Sequence, residues 1–104
     1  GGHIMQGHVD GVATLISRDS QPDWDDLTFE LPQHLLKYVV LKGSIALNGV
    51  SLTVAALDGN KATVSLIPTT LAETTFGAMD VGEKVNVEVD VIAKYVERMV
   101  AGRA

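Results

Sequence analysis

Leu27, Phe29 and Leu31 alternate with Thr28 and Glu30, the period-2 pattern of a strand with one buried face. Pro32 ends that strand. Before it, Val9 to Arg18 is rich in β-forming residues and predicts a first strand, followed by a polar loop from Arg18 to Asp26 with Pro22 inside it. After it, Leu35, Leu36, Val39 and Val40 in the run His34 to Val40 have the spacing of a short amphipathic turn, stopped at Lys42-Gly43. Ile45 and Leu47, then Val50, Leu52 and Val54, then Ala62, Val64 and Leu66 form a meander. Its two turns are Asn48-Gly49 and Asp58-Gly59-Asn60, where Asn, Asp and Gly tolerate the positive φ of tight hairpins. Ile67-Pro68 closes the meander, Thr70 to Met79 has room for one helical turn, and Val85, Val87 and Val89 alternate through a last strand. From Asp90 to Val100 the period changes: Ile92, Tyr95, Val96, Met99 and Val100 recur at helical spacing. Short strands at this spacing point to a small antiparallel barrel or a sandwich, and the pattern does not choose between them.

With 104 residues the chain is read as one domain, a barrel over about 1–90 and a helix and tail over 91–104. Aromatic residues make up 5%, so the core is aliphatic. There is no cysteine, which removes disulfides and thiolate metal sites and fits a reducing compartment. A net charge of −5 opposes binding to a phosphate backbone, so no nucleic-acid partner is expected. No apolar run approaches the roughly 20 residues of a membrane span, and Gly1-Gly2-His3-Ile4-Met5 lacks the basic start of a signal peptide, so the chain reads as cytoplasmic and free of membrane.

Five blocks carry a resemblance to a known family: Gly1-Gly2-His3-Ile4-Met5-Gln6-Gly7-His8-Val9-Asp10-Gly11; Lys42-Gly43-Ser44 through Asn48-Gly49-Val50-Ser51-Leu52-Thr53-Val54; Leu66-Ile67-Pro68-Thr69-Thr70-Leu71; Val85 to Asp90; and Lys94-Tyr95-Val96-Glu97-Arg98. In this order they resemble riboflavin synthase, and specifically its C-terminal barrel. The resemblance implies an all-β fold, a six-stranded antiparallel Greek-key barrel with a C-terminal α-helix. It also implies an activity without cofactor or metal. Two molecules of 6,7-dimethyl-8-ribityllumazine react, one giving a four-carbon unit to the other, to yield riboflavin and 5-amino-6-ribitylamino-uracil. In the family the C-terminal barrel faces the N-terminal barrel of a neighbouring subunit within a trimer, each barrel holding one lumazine. This chain would supply half of such a site, with self-association as a dimer or trimer. A lumazine- or flavin-binding module without catalysis is the alternative, and a structural barrel with no ligand is a third.

Individual residues support both a site and plainer explanations. Ser51 and Thr53, two apart on a strand, share one face while Leu52 and Val54 take the other. A solvated polar face would explain the pair, and the resemblance places both hydroxyls beside the lumazine rings. Asp90 stands where an N-cap aspartate belongs, and the resemblance adds it to the catalytic set. His8 is either a surface histidine or, by resemblance, part of the pocket of Gly7, His8 and Val9, able to shuttle a proton near neutral pH. His3 and His8 are five apart, a poor spacing for a shared metal on a strand. Lys42 is either a helix-terminal cation or a donor to the ribityl chain. Ile67, Pro68, Thr69 and Thr70 leave main-chain groups free at a strand end to meet the pyrimidine edge, with Leu71 and Ala72 following and Leu52 completing the binding set. His34 receives no role.

Overall fold

The computed structural model of the chain describes residues 6–101. Six strands, β1 (Gly11–Ser20), β2 (Asp25–Glu30), β3 (Ser44–Leu47), β4 (Val50–Asp58), β5 (Lys61–Leu66) and β6 (Lys84–Val89), close into an antiparallel barrel in the order β1-β2-β5-β4-β3-β6. β3, β4 and β5 follow one another through hairpins, and β2 returns beside β5 by a longer connection, which is a Greek key. The barrel expected from the resemblance is therefore present, and the sandwich is excluded.

The alternation read in the sequence is the alternation that fills the barrel. Ala13 and Leu15, Leu27 and Phe29, Ile45 and Leu47, Leu52 and Val54, Val64 and Leu66, and Val85, Val87 and Val89 all point into one buried cluster. The 3₁₀ turn Gln33–Tyr38 lays Leu35 over the core beside Gly11, where an added Cβ would come within 3.0 Å of the Leu35 side chain. Phe76 and Met79 cover it beside Arg18, whose guanidinium donates to their carbonyl oxygens at 2.8 and 2.6 Å and to Asp25 at 3.0 Å. The Asn48-Gly49 turn has φ of 50° and 79°, the two successive positive values of a type I′ hairpin. Register shifts between Leu15 and Ser17 and between Val54 and Ala56 mark bulges that help bend the strands into closure.

The structure departs from the sequence reading in several places. The first strand runs from Gly11 to Ser20 rather than from Val9 to Arg18, because Arg18, Asp19 and Ser20 still pair with Leu27, Asp26 and Asp25; the loop shrinks to residues 21–24. The turn at Gln33–Tyr38 ends four residues before Lys42, so Lys42 is no helix-terminal cation; it takes a left-handed backbone, φ 66°, at the approach to β3. A short helix, α1 (Pro68–Glu73), begins at Pro68 rather than at Thr70 and is followed by a 3₁₀ turn, Thr75–Ala78. The closing helix, α2 (Val91–Ala101), forms as expected, with the Asp90 side chain accepting the Ile92 N–H at 3.0 Å as its cap.

Candidate functional site

Cross-strand partners point to the same face of a sheet, so the register places the candidate residues. Thr53 pairs with Ser44, and Ser51 with Ala46. Ala46 in turn pairs with Glu88, and Ile45 with Val89, the last residue of β6 before Asp90. Thr53 and Ser44 thus form one row across β4 and β3 on the outer face, with Ser51, Ala46 and Glu88 in the row beside it across β4, β3 and β6, and Asp90 follows the end of β6. Lys42 adjoins this surface, its N–H donating to the Val54 carbonyl at 2.8 Å. Thr53 is exposed, while the Ser51 hydroxyl is buried and has no hydrogen-bond partner among the described residues. A buried polar atom left in this state costs roughly 1–3 kcal/mol.

The remaining candidate residues lie across a gap in the sheet. The β4–β5 ladder runs from Asp58 and Lys61 to Val54 and Val64 and stops, so Ser51 has only β3 as a paired neighbour. Beyond β5, Ile67, Pro68 and Thr69 are exposed and Thr70 and Leu71 half-buried. The main chain here is less free than the strand-end reading supposed, because α1 forms and the Ile67 carbonyl accepts the Leu71 N–H at 3.1 Å. The N–H groups of Thr69 and Thr70, in the first turn of α1, have no intrahelical acceptor. Leu52 also differs from the binding set assigned to it: its side chain belongs to the barrel core, and only its main chain reaches the outer face.

His8 is exposed, with 65% of its side chain accessible, and its Nε2 lies 3.5 Å from Asp10 Oδ1. Gly7 precedes it with φ 72°, and Val9 is exposed. His3 lies outside the described residues. Asp10, which the sequence reading passed over, is the best-connected polar group on this side of the barrel. Its N–H donates to Val87 O at 2.7 Å, its Oδ2 accepts the Val89 N–H at 2.9 Å, and its Oδ1 accepts Lys94 Nζ of α2 at 2.6 Å. Burial of the carboxyl works against its ionisation. The hydrogen bonds from Lys94 and Val89, with the charges of Lys94 and His8, outweigh that and hold Asp10 below the ordinary carboxylate value. The alternation His8, Val9, Asp10 was a readable sign that His8 and Asp10 share a face; the Lys94 partner was not readable.

Beside Asp90 runs a groove of about 290 Å³ between the Gln33–Tyr38 turn and α2, with Val40, Ile92, Ala93 and Val96 as apolar lining and Lys37, Tyr38 and Glu97 on its polar side. The rest of the α2 apolar stripe is uncovered: Tyr95, Met99 and Val100 are 61–65% exposed. Among the described residues no helix is long and apolar enough to cross a membrane.

A family profile described as "Lumazine binding domain" matches residues 6–90, which span all six strands and include Ser51, Thr53 and Asp90. The chain belongs to the lumazine-binding domain family. The riboflavin synthase of Mycobacterium tuberculosis (strain ATCC 25618 / H37Rv) is 49% identical over 102 residues, covering 95% of this chain and 51% of that protein. That of Bacillus subtilis (strain 168) is 47% identical over 100 residues, covering 94% and 46%. This lumazine-binding domain therefore spans about half the length of the curated relatives it matches. Among solved structures, LumP complexed with 6,7-dimethyl-8-(1'-D-ribityl) lumazine superposes with a TM-score of 0.80 at 24% identity, covering 86% of this chain and 50% of that one. LumP complexed with riboflavin gives the same TM-score and identity. At that identity the likeness speaks for the shared barrel fold.

Proposed function

We propose that this chain is one half-site of a riboflavin synthase, binding one 6,7-dimethyl-8-ribityllumazine per barrel for riboflavin biosynthesis in the cytoplasm. The observation that carries the reading is the Thr53–Ser44 row, with the buried Ser51 hydroxyl, which has no partner among the described residues, next to it beside the point where the β4–β5 ladder stops, and with Asp90 following the end of β6. A heterocycle at that gap finds main-chain groups of Ile67 to Thr70 on one side and the Ser51 and Thr53 hydroxyls on the other. Leu71 and Ala72 bound it. Lys42 donates to ribityl hydroxyls, Asp90 orients the substrate, and His8, in the Gly7-His8-Val9 segment, moves the methyl proton. The reaction conserves all atoms between two lumazines and the products riboflavin and 5-amino-6-ribitylamino-uracil, so no cofactor is required.

The one barrel among the described residues would hold one ring. The four-carbon transfer needs two lumazines face to face, and alignment of two reactants is worth up to about 7–11 kcal/mol. The partner is the N-terminal barrel of a two-barrel enzyme, or a second copy of this chain in a dimer or trimer joined through the α2 stripe. A non-catalytic lumazine- or flavin-binding module is the second reading, favoured by the solved LumP complexes with lumazine and riboflavin. The test is riboflavin formation at saturating lumazine, compared with a two-barrel synthase at equal site concentration. Slow but measurable formation is expected. Bound lumazine with no riboflavin supports the binding module, and a rate within a few-fold of the two-barrel enzyme contradicts the shared-site account.

A further inference from the structure

We infer that Asp10 is a positioning residue for the ligand site, holding Asp90 in place from both of its flanks. The inference rests on the half-site reading for its ligand and on geometry for the rest. Asp90 is the single residue between β6 and α2. On its β6 side, Val89 N–H is held by Asp10 Oδ2 at 2.9 Å; on its α2 side, Lys94, one helical turn on, is held by Asp10 Oδ1 at 2.6 Å. Both oxygens of one carboxylate therefore clamp the segment that carries Asp90, and the Asp90 side chain is directed by its own bond to the Ile92 N–H.

Asp10 is itself immobilised. Only 7% of its side chain is accessible. Its main chain is fixed on both sides, the N–H by Val87 O at 2.7 Å and the carbonyl by His34 Nε2 at 3.2 Å. The next residue, Gly11, is packed under Leu35 and Pro32. The same carboxylate faces His8, so one anchor sets two of the proposed catalytic residues, Asp90 and His8. α2 has no buried residue of its own to fix it. An ion pair at this place therefore does work that packing does elsewhere in the barrel, and removing it lets the helix start, with Asp90 on it, shift against the Thr53 row.

The test joins amide exchange in the free chain to riboflavin titration by fluorescence. In Asp10→Ala, protection of the Val89 and Ile92 amides falls, and riboflavin affinity drops about tenfold, the equivalent of one lost charged hydrogen bond. In an Asp90→Ala background the same substitution changes affinity less than about twofold, since coupled residues are non-additive. Lys94→Met, on the exposed helix, leaves the barrel intact and gives the same loss at Ile92 while sparing Val89. Unchanged protection in both variants overturns the clamp. Equal affinity losses with and without Asp90 assign Asp10 a structural role alone and overturn the positioning claim. If the unsubstituted chain takes up no riboflavin, the half-site reading fails, and the exchange result still decides the clamp.

Discussion

The barrel interior and the α2 side of the molecule are built on opposite principles. Inside, every core side chain is enclosed by others: Phe76 and Phe29 meet edge to face at 6.3 Å between ring centroids, and Val54, Val87 and Leu15 have no accessible surface. Along α2 no residue is buried, an apolar stripe faces outward, and among the described residues one ion pair, Lys94 to Asp10, reaches back to the barrel side. The first region specifies itself by packing. The second region is the one that the proposed ligand and the proposed partner barrel would complete.

The largest expected effect breaks the first region. Phe76→Ala removes a fully buried ring and should lower unfolding stability by about 3–5 kcal/mol, read by urea denaturation. A smaller loss is expected from Arg18→Met, which leaves the Phe76 and Met79 carbonyls and Asp25 without their charged donor. About 1.5–3 kcal/mol should be lost there, with the 3₁₀ turn Thr75–Ala78 the first part to exchange amides.

Acid acts on the second region. The folded Asp10 carboxyl titrates below its unfolded value, so its contribution is present above the ordinary carboxylate range, near pH 4, and is lost as pH falls through the lowered folded value. His8, His34 and Lys94 are the titratable and charged groups that face Asp10. Falling pH should therefore loosen α2 before the barrel, seen as exchange at Ile92 and Lys94 preceding exchange at Val87. Simultaneous loss would show that α2 is not separately anchored. The smallest effect on stability is expected for a Tyr95→Ser, Met99→Lys pair on the exposed stripe: within about 0.5 kcal/mol of the parent. Solution mass should fall to that of a monomer if the stripe joins copies of this chain, and an unchanged oligomer would place the contact elsewhere.

Much of this division was legible in the chain. Leu27, Phe29 and Leu31 announced their buried face, Asn48-Gly49 its turn, and Asp90 its cap, because each signal is local. Barrel closure was not readable from periodicity, since a sandwich has the same alternation; it came from the resemblance. Of the two explanations of Lys42, the helix-terminal cation falls because the turn ends at Tyr38, although Gly43 looks like a helix stop. The helix at Pro68–Glu73 had a signal in Pro68 at its first position, overshadowed by the strand that precedes it. Asp10 was missed for a different reason: its partner Lys94 is 84 residues away, and a carboxylate that acts across the whole chain leaves no local pattern. The Ser51 and Thr53 face was visible from spacing, but that the Ser51 hydroxyl has no partner among the described residues is a fact of packing.

The most direct test is isothermal titration of 6,7-dimethyl-8-ribityllumazine into this chain and into a Ser51→Ala, Thr53→Val variant. One lumazine per chain is expected for the parent. Thr53→Val alone should weaken binding by about 0.5–1.5 kcal/mol, the net worth of a neutral hydrogen bond, and the pair by more. Folding stability should hold or rise, because Ser51 Oγ has no partner to lose among the described residues. A stoichiometry of zero, or an affinity unchanged in the folded double variant, would contradict the assignment of the site to the β4–β3–β6 face.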